Sequence, residues 1–527
     1  MLYRTPRSKN ESALLCSAAM ARLPRRLVRQ RTAGGNGKDR LSALPDELIH
    51  LIVSRLDTRT ALSTAVLGRR WARIPRDLPA LDLKVSDILP AEYHRTLALR
   101  QGKSRRVQEL AGELDNLLAL FEDIMMESLA AGITGLLEED GDACRRVKAV
   151  RLDFFFRTHD DVGCIERLIA AAVGAWGVED LEVVAYPSAT CHDHDAPAYG
   201  FPHDRLDGGG RSRLRSLTLG NCTLPPLRTY EALRTLVLQG VAASTPVAVY
   251  ERLFTDCARL QTLHLKSCGC TEELDHLEVD APCSSLTELV VEDCAFSAIT
   301  LHDLPALTRL ACQDSSASVM LTFGSVPSLT HVNLTFWGSD KPHDFLGNAP
   351  DGTTSLVLRF TGPVRWVLPR HVATPFRGLK RLLVADVPPN WDVSWPRILL
   401  LSARSLEALH IHVALAHSDE DEEPGEEIIW WQRPKLRHRH MKELVMVGFT
   451  GTPRQTQYLR DLVKVCRSLQ RLVLLRDGHV QYNGLWDWKM VGKQECPRRR
   501  RWSDDDEMAV KRMIKSRSRA HLEVILG

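Results

Sequence analysis

The chain has 527 residues, which is too long for one ordinary compact domain and indicates several domains or a repeat array. Its formal net charge is only +3, so no strong overall field favours nucleic acid or a membrane surface as a partner. The 13 cysteines are odd in number and scattered, which favours reduced thiols in an intracellular compartment. No apolar run approaches the roughly 18 residues that span a bilayer.

The first 38 residues form a basic segment. They contain nine Lys or Arg and a single acid, Glu11. A disordered leader is the simplest interpretation of this composition. An organelle transit peptide, which is also rich in Arg and poor in acids, and a start codon placed too early both remain open.

Residues 41–76 are predicted to form three short helices. Pro45 suits the first turn of a helix, and the acidic pair that follows it complements the positive end of the helix dipole. A second helix is expected from Asp57 or Thr58, and Gly68 separates it from a third. Such a small unit often needs a partner, and an apolar helix face left over after folding suits one. The apolar residues of the first helix fall on one face: Leu48, Leu51, Ile52 and Leu56.

Between residues 91 and 136, apolar residues recur at spacings of three and four. This periodicity is typical of amphipathic helix. We expect one or two helices here, linking the N-terminal unit to the region that follows.

The rest of the chain repeats one pattern, Leu-x-x-Leu-x-Leu with apolar substitutes. The central copies, from residue 260 to residue 406, start 21 to 27 residues apart, within the period of roughly 20–29 residues of a leucine-rich repeat. The outer spacings are less regular, which indicates insertions. The clear copies start at Leu214, Leu233, Leu260, Leu286, Leu307, Leu329, Leu379, Leu406, Met441 and Leu469, and weaker ones at Val147, Val178 and Thr353.

Each copy is predicted to be one short strand, because alternation with period two places its fourth and sixth positions on one face. Stacked copies bury that face together, which predicts a solenoid with a curved parallel β-sheet. Cys222, Cys268 and Cys294 stand at the ninth position of their copies, where the repeat pattern has Asn or Cys. A small polar group there can bond backbone that the turn leaves unpaired.

The third, fifth and seventh positions of each copy are expected to face away from the core, onto the concave side of the sheet. They form a mixed polar strip that suits a protein surface, although each residue alone could be an ordinary solvated side chain. The candidate target-binding residues are His264, Lys266, Glu288, Glu292, Arg309, Gln313, His331, Asn333, Arg381, His410 and His412.

No constellation of residues favours catalysis or a cofactor. Cys191, His192, His194 and His203 fall within one segment, but no second ligand pair accompanies them, so we interpret the segment as a polar loop rather than a zinc site. Residues 208–210 are glycines outside any nucleotide-binding pattern. We therefore expect no catalytic residue, no metal and no cofactor.

The C-terminal segment is basic at residues 497–501 and again at 511–519. A nuclear localisation signal and a solvated tail are both open interpretations. Nucleic acid is less favoured as a partner, because only Trp502 lies near the clusters.

Residues 41–76 resemble the F-box, whose pattern begins Leu-Pro-x-x-Leu and ends with an apolar pair and a Trp. The chain departs from the pattern at Gly68, where Ser is more usual, and at Val53, where Leu is common. The resemblance implies adaptor-facing or box-packing roles, without dividing the two, for Leu44, Pro45, Leu48, Ile52, Leu56, Val66, Leu67 and Trp71.

The whole architecture resembles the plant F-box and leucine-rich-repeat family, particularly its grass members. The stretches 56–62 and 175–183 carry this resemblance, and residues 504–526 resemble the FBD-type tails of some members. The resemblance implies a mixed α/β chain with five parts: a basic leader (1–38), an F-box (39–83), a helical linker (84–145), the solenoid (146–477) and a basic, FBD-like tail (478–527).

In this family the F-box binds a Skp-type adaptor, and through it cullin and RING subunits, while the repeats bind the protein to be ubiquitylated. The resemblance thus implies a non-catalytic receptor of a ubiquitin ligase, in the nucleus or the cytoplasm. A leucine-rich-repeat scaffold that is not coupled to a ligase is the alternative. The target is not readable from the sequence.

Overall fold

The structure is a computed structural model. It describes residues 44–64, 78–102, 105–140, 147–156, 162–189, 198–205, 212–270, 276–313, 319–337, 349–361, 376–387, 399–400, 402–414, 438–493, 502–515 and 522–527. The chain divides into two compact units, Met1–Ala232 (unit 1) and Leu233–Gly527 (unit 2).

Unit 1 begins with two short helices, α1 (Asp46–Val53) and α2 (Thr58–Ser63). The carbonyl of Pro45 accepts the first backbone hydrogen bonds of α1, from the N–H groups of Leu48 and Ile49. The side chain of Asp57 caps α2 by accepting a hydrogen bond from the N–H of Thr60, at 2.8 Å. The predicted third helix, with Val66, Leu67 and Trp71, lies outside the described residues.

Three helices follow: α3 (Ala91–Arg100), α4 (Arg105–Glu109) and α5 (Ala111–Asp140). One or two helices were expected between residues 91 and 136, and the structure has three in this region. The buried carboxylate of Glu122 on α5 accepts hydrogen bonds from the hydroxyls of Tyr93 on α3, at 3.1 Å, and Ser188, at 2.5 Å. These bonds satisfy a buried acid and fix α5 against its neighbours.

Unit 1 also contains four parallel strands in register. They are β1 (Ala80–Lys84), β2 (Ala149–Phe156), β3 (Asp180–Pro187) and β4 (Ser216–Gly220). Helix α6 (Gly163–Ala170) lies between β2 and β3 in sequence.

Unit 2 is built on a main sheet of parallel strands. In spatial order they are β5 (Thr235–Gln239), β6 (Thr262–Lys266), β8 (Glu288–Glu292), β10 (Arg309–Gln313), β12 (His331–Trp337), β13 (Ser355–Thr361), β14 (Arg381–Val387), β15 (Ala408–Val413), β16 (Glu443–Val447), β17 (Arg471–Leu475) and β20 (Glu523–Leu526).

The remaining elements of unit 2 lie outside this sheet. A smaller parallel sheet contains β7 (His276–Asp280), β9 (Ala298–Asp303) and β11 (Met320–Ser325). The helices are α7 (Val247–Asp256), α8 (Pro453–Val465) and α9 (Asp504–Lys515). A β-hairpin is formed by β18 (Gly478–Asn483) and β19 (Asp487–Gly492).

The structure confirms that the residues of the leucine pattern form the core. Each predicted copy contains a strand, and the residues at the fourth and sixth positions are buried. The turns also agree with the sequence: the Cys268 thiol donates to the carbonyl of Lys266 at 3.4 Å, and Ser267 before it has a φ of 48°. The prediction of an α/β solenoid with a large parallel sheet is therefore confirmed.

Several strands have no counterpart in the predicted pattern: β1, the small sheet β7–β9–β11, the hairpin β18–β19 and the last strand β20. Within the described residues, no helix is both long and apolar enough to cross a membrane.

Candidate protein-binding surfaces

Helix α1 carries an apolar face that is open to solvent. Leu48, Leu51, Ile52 and Leu56, the last just beyond the end of the helix, are 45%, 50%, 39% and 37% exposed. The opposite side of α1 is closed, because Ile49 and Val53 are fully buried. The sequence predicted one apolar face, and the structure places it outward while two other apolar residues form the packing side.

The remaining F-box candidates divide as follows. Leu44 is half-buried and Pro45 is exposed at the start of α1. The box is tied to the sheet of unit 1 by a hydrogen bond from the N–H of Asp82 on β1 to the hydroxyl of Thr58, at 2.8 Å. We call Leu48, Leu51, Ile52 and Leu56 the α1 face.

The eleven candidate target-binding residues all lie on one side of the main sheet of unit 2, here called the concave face. Parallel register arranges them in three rows across the strands. The first row contains Glu288, Arg309, His331 and Arg381; the second His264, Asn333 and His410; the third Lys266, Glu292, Gln313 and His412.

Charges on this face are paired with one another. Glu288 lies 2.9 Å from His264 Nε2 and 3.3 Å from a guanidinium nitrogen of Arg309, and Lys266 lies 3.1 Å from Glu292. The hydrogen bond from His264, helped by Arg309, holds the pKa of Glu288 below its usual value although burial opposes this. Burial lowers the pKa of His331, and the positive charges of Arg309 and Arg381 lower it further.

A second group of ion pairs lies further along the sheet. His410 Nε2 is 2.8 Å from Glu443, and this hydrogen bond lowers the pKa of that carboxyl, with burial opposing the shift. Burial also disfavours ionised Asp386, yet its hydrogen bond with His412 and the nearby Arg359 hold its pKa below the usual value. These candidates therefore already have partners within the chain.

The hairpin β18–β19 lies across the concave face. In sequence it directly follows β17, and the residues at its tip contact β8 and β12. The indole N–H of Trp486 donates to Glu288 at 3.0 Å, and the side-chain amide of Asn333 donates to the carbonyl of Leu485 at 2.8 Å. The guanidinium of Arg309 lies 6.0 Å from the Trp486 ring centre.

Trp488 is the most buried aromatic residue of the hairpin, at 3% exposed. It packs on Val357, Leu383 and Ala385, which belong to β13 and β14. Its indole N–H donates to His410 Nδ1 at 2.8 Å. Because an indole N–H can only donate, His410 Nδ1 must accept, which leaves the imidazole proton on Nε2 facing a carboxylate.

Arg381 holds two neighbouring hairpin residues at once. Its guanidinium lies 4.3 Å from the ring centre of Trp488, in cation–π geometry, and donates to the carboxylate of Asp487 at 2.9 Å. This hydrogen bond lowers the pKa of Asp487. Arg359 lies in the same way 5.1 Å from the ring centre of Tyr482.

The hairpin completes two apolar clusters on the concave face. Tyr482, Val480 and Met490 pack beside Trp488 against β13 and β14. Met490 also packs on a cluster of four buried residues from β16 and β17: Val445, Val447, Val473 and Leu475. The concave face is therefore polar in its first row and largely apolar in its middle row, and its third row changes from polar on β6, β8 and β10 to apolar on β16 and β17.

Sequence reasoning missed both the apolar middle row and the hairpin. The sequence did hold a signal. Strands β13, β14, β16 and β17 are apolar at the fifth position as well as at the fourth and sixth, at Val357, Leu383, Val445 and Val473. Such nearly continuous apolar runs are typical of strands that are buried on both faces.

Of the four residues weighed as zinc ligands, Cys191, His192 and His194 lie outside the described residues, and the ring of His203 is 3.0 Å from Asp204. In the part of the chain that the structure describes, no group of three or more His, Cys, Asp or Glu residues is arranged to hold a metal ion.

Comparisons with known proteins agree with this architecture. A model of the F-box domain matches residues 41–81, and a model described as the At1g61320/AtMIF1 LRR domain matches residues 142–483, more than half of the chain.

Three Arabidopsis thaliana proteins illustrate the similarity. The F-box/FBD/LRR-repeat protein At4g00160 is 24% identical over 79% of this chain and 72% of its own length. The FBD-associated F-box protein At5g60610 is 22% identical over 82% and 98%. F-box protein At5g03100 is 33% identical over 12% of this chain, and the match spans only 21% of that relative. The chain belongs to the At1g61320/AtMIF1-type LRR-domain family, and it carries an F-box domain before its repeats.

Proposed function

We propose that this protein is the substrate-recognition subunit of an SCF-type, cullin-RING E3 ubiquitin ligase. The F-box binds a Skp-type adaptor, which links the chain to the cullin and RING subunits, and the repeats bind the protein to be ubiquitylated. The chain itself is not catalytic. It acts by proximity, because it raises the concentration of a target lysine near the charged conjugating enzyme.

The α1 face is the observation that carries the proposal. Its four apolar side chains lie together at the surface, while Ile49 and Val53 hold the helix from behind. Burying an apolar side chain contributes about 1.5–3 kcal/mol. A helix that presents such a face is suited to a groove on a partner protein.

The compartment proposed for this complex is the nucleus or the cytoplasm. The thiols of Cys222, Cys268 and Cys294 support a reducing environment, because each is free and donates a hydrogen bond to a backbone carbonyl.

The alternative function is a repeat scaffold that holds partners without any ligase. Its supporting observation is the concave face, which would serve either role equally. The α1 face separates the two functions, since a scaffold has no need of an adaptor.

The test is calorimetric titration of the purified full chain with a Skp-type adaptor. We expect the double variant Leu48→Ala, Ile52→Ala to bind at least about tenfold more weakly, because it removes contact area without touching the packing side. Leu99→Ala is the matched control, since Leu99 is 58% exposed but lies on α3. If folded wild-type protein does not bind the adaptor, the ligase role is wrong and the scaffold role is favoured.

A further inference from the structure

We propose that the concave face of unit 2 is a binding site for a protein segment that presents tryptophan beside an acidic residue, and that the hairpin β18–β19 is the occupant which this segment displaces. The inference rests on the proposed function in one respect: the displacing segment would belong to the captured target. The hairpin shows which chemistry the surface accepts.

The site has a carboxylate and an indole position side by side. Arg381 binds the groups at both positions: it donates a hydrogen bond to Asp487, and its guanidinium lies over the ring of Trp488. Val357, Leu383 and Ala385 form the apolar floor, and His410 accepts the indole N–H. An isolated apolar side chain would leave His410 Nδ1 without its donor, so the floor selects indole over phenyl.

A second position for an indole ring lies on the same face, at Glu288 and Arg309. Trp486 lies in the turn just before β19, two residues before Trp488. Glu288 accepts the N–H of Trp486, and Arg309 lies near its ring. The surface therefore suits a segment that presents an indole, a carboxylate and an indole in consecutive residues.

The way in which the hairpin is attached allows its release. In the described part of the chain, β18 pairs only with β19, and neither strand joins the ladder of the main sheet. Among the described residues, the hydrogen bonds between the hairpin and the face come from side chains and from the carbonyl of Leu485. A two-stranded hairpin alone is marginally stable, so it depends on this contact. Gly478 and Gly492 pair at its base, where the chain can bend with little steric cost.

The fit between hairpin and face is also incomplete. Among the described residues, two buried polar atoms at this contact have no hydrogen-bond partner: Asn333 Oδ1 and Tyr482 OH. Asn333 is only 2% exposed. A buried polar atom without a hydrogen-bond partner destabilises the arrangement that contains it. A segment that forms hydrogen bonds with these atoms would bind the face more strongly than the hairpin does. The hairpin, however, is covalently attached, which gives it a high effective concentration at the face.

The probe for the test is a labelled synthetic peptide with the sequence of residues 478–492, GHVQYNGLWDWKMVG. Wild-type full-length protein should bind it weakly, because its own hairpin fills the site. The double variant Trp486→Ala, Trp488→Ala empties both indole positions and should bind the peptide at least about tenfold more tightly. Adding Arg381→Ala to that variant, or replacing Trp488 in the peptide by Ala, should abolish the gain.

The matched control is the double variant Gln481→Ala, Lys489→Ala, which alters exposed hairpin residues and should behave as wild type. If the tryptophan variant keeps its circular dichroism spectrum yet binds the peptide no better than this control, the proposal is overturned.

A second measurement uses wild-type protein, so it does not depend on the folding of a variant. Hydrogen exchange should show the amides of β18 and β19 opening well before those of β14 to β16. Exchange of the hairpin only through global unfolding would overturn the proposal. Neither experiment contains the adaptor, so the ligase role can fail while peptide binding succeeds, and the reverse.

Discussion

The α1 face and the middle row of the concave face are both apolar surfaces that point away from the local core, but their fates differ. On α1, four side chains remain 37–50% exposed, whereas on the sheet Val357, Leu383, Val445 and Val473 are at most 8% exposed. The sheet is covered by the chain's own hairpin. An apolar pattern in a sequence thus indicates that a surface will be buried, but not whether another part of the same chain or a partner protein buries it.

Removing the main anchor of the hairpin should have the strongest effect on the covered sheet. Trp488→Ala deletes a large side chain that packs on two strands and donates to His410. Truncations of this kind cost about 3–5 kcal/mol. We expect hydrogen-exchange protection in β18 and β19 to fall by a factor of more than about 100. Unchanged protection would show that the hairpin does not depend on this residue, and Met508→Ala, an exposed truncation, is the control.

Two isoleucines of α1 show the same difference between a buried and an exposed position within one helix. Ile49 is fully buried and Ile52 is 39% exposed. Ile49→Ala should destabilise the box by about 2–5 kcal/mol, because it leaves a cavity. Ile52→Ala should leave thermal unfolding nearly unchanged and weaken adaptor binding instead. Equal effects of the two variants on stability would contradict the outward placement of the α1 face.

Low pH should weaken the contact between the hairpin β18–β19 and the concave face without affecting the α1 face. The pKa values of Glu288, Glu443 and Asp487 are all held below their usual range by hydrogen bonds on or beneath the hairpin. Their stabilisation is therefore fully present above the unfolded-state pKa values of about 4, and it is lost as pH falls through the lower folded-state values.

We expect tryptophan fluorescence to report release of Trp486 and Trp488 below about pH 4. Glu443→Gln should move this transition, because it removes one of the three carboxylates. A wild-type transition centred well above pH 5 would not come from these groups.

The smallest expected effect is at the edge of the covered area. Lys266 and Glu292 form an ion pair 3.1 Å long whose side chains are 39% and 38% exposed. Such pairs contribute about 0–1 kcal/mol. Lys266→Ala should therefore change the unfolding free energy by less than 1 kcal/mol in chemical denaturation. A larger loss would place this pair within the hairpin contact.

The local part of the fold was predictable from the sequence. The repeat spacing predicted the strands, and Cys222, Cys268 and Cys294 marked turns, because strand pairing and turn bonding involve residues at regular separations. The α1 face was recognisable by its helical spacing. The choice between Ile49 and Ile52 as the packing residue was not, since both are isoleucines on the same helix.

The hairpin contact was harder to predict because it joins distant residues. Trp486 and Glu288 are 198 residues apart, and no local pattern connects them. The polar side chains of the concave face suggested an open binding strip, yet His410, Asn333 and Arg381 bond to the hairpin. The apolar fifth positions were the only local sign that something covers them.

The hairpin also sets an order of events during synthesis. Its tip contacts β8, yet it leaves the ribosome only after every strand up to β17 has been made. At about 5–20 residues per second, roughly 10–40 s separate the appearance of Glu288 from that of Trp486. The apolar middle row begins at Val357, so it lies bare for up to roughly 6–26 s before Trp486 is made, and a chaperone that binds apolar strands can reach it in that time.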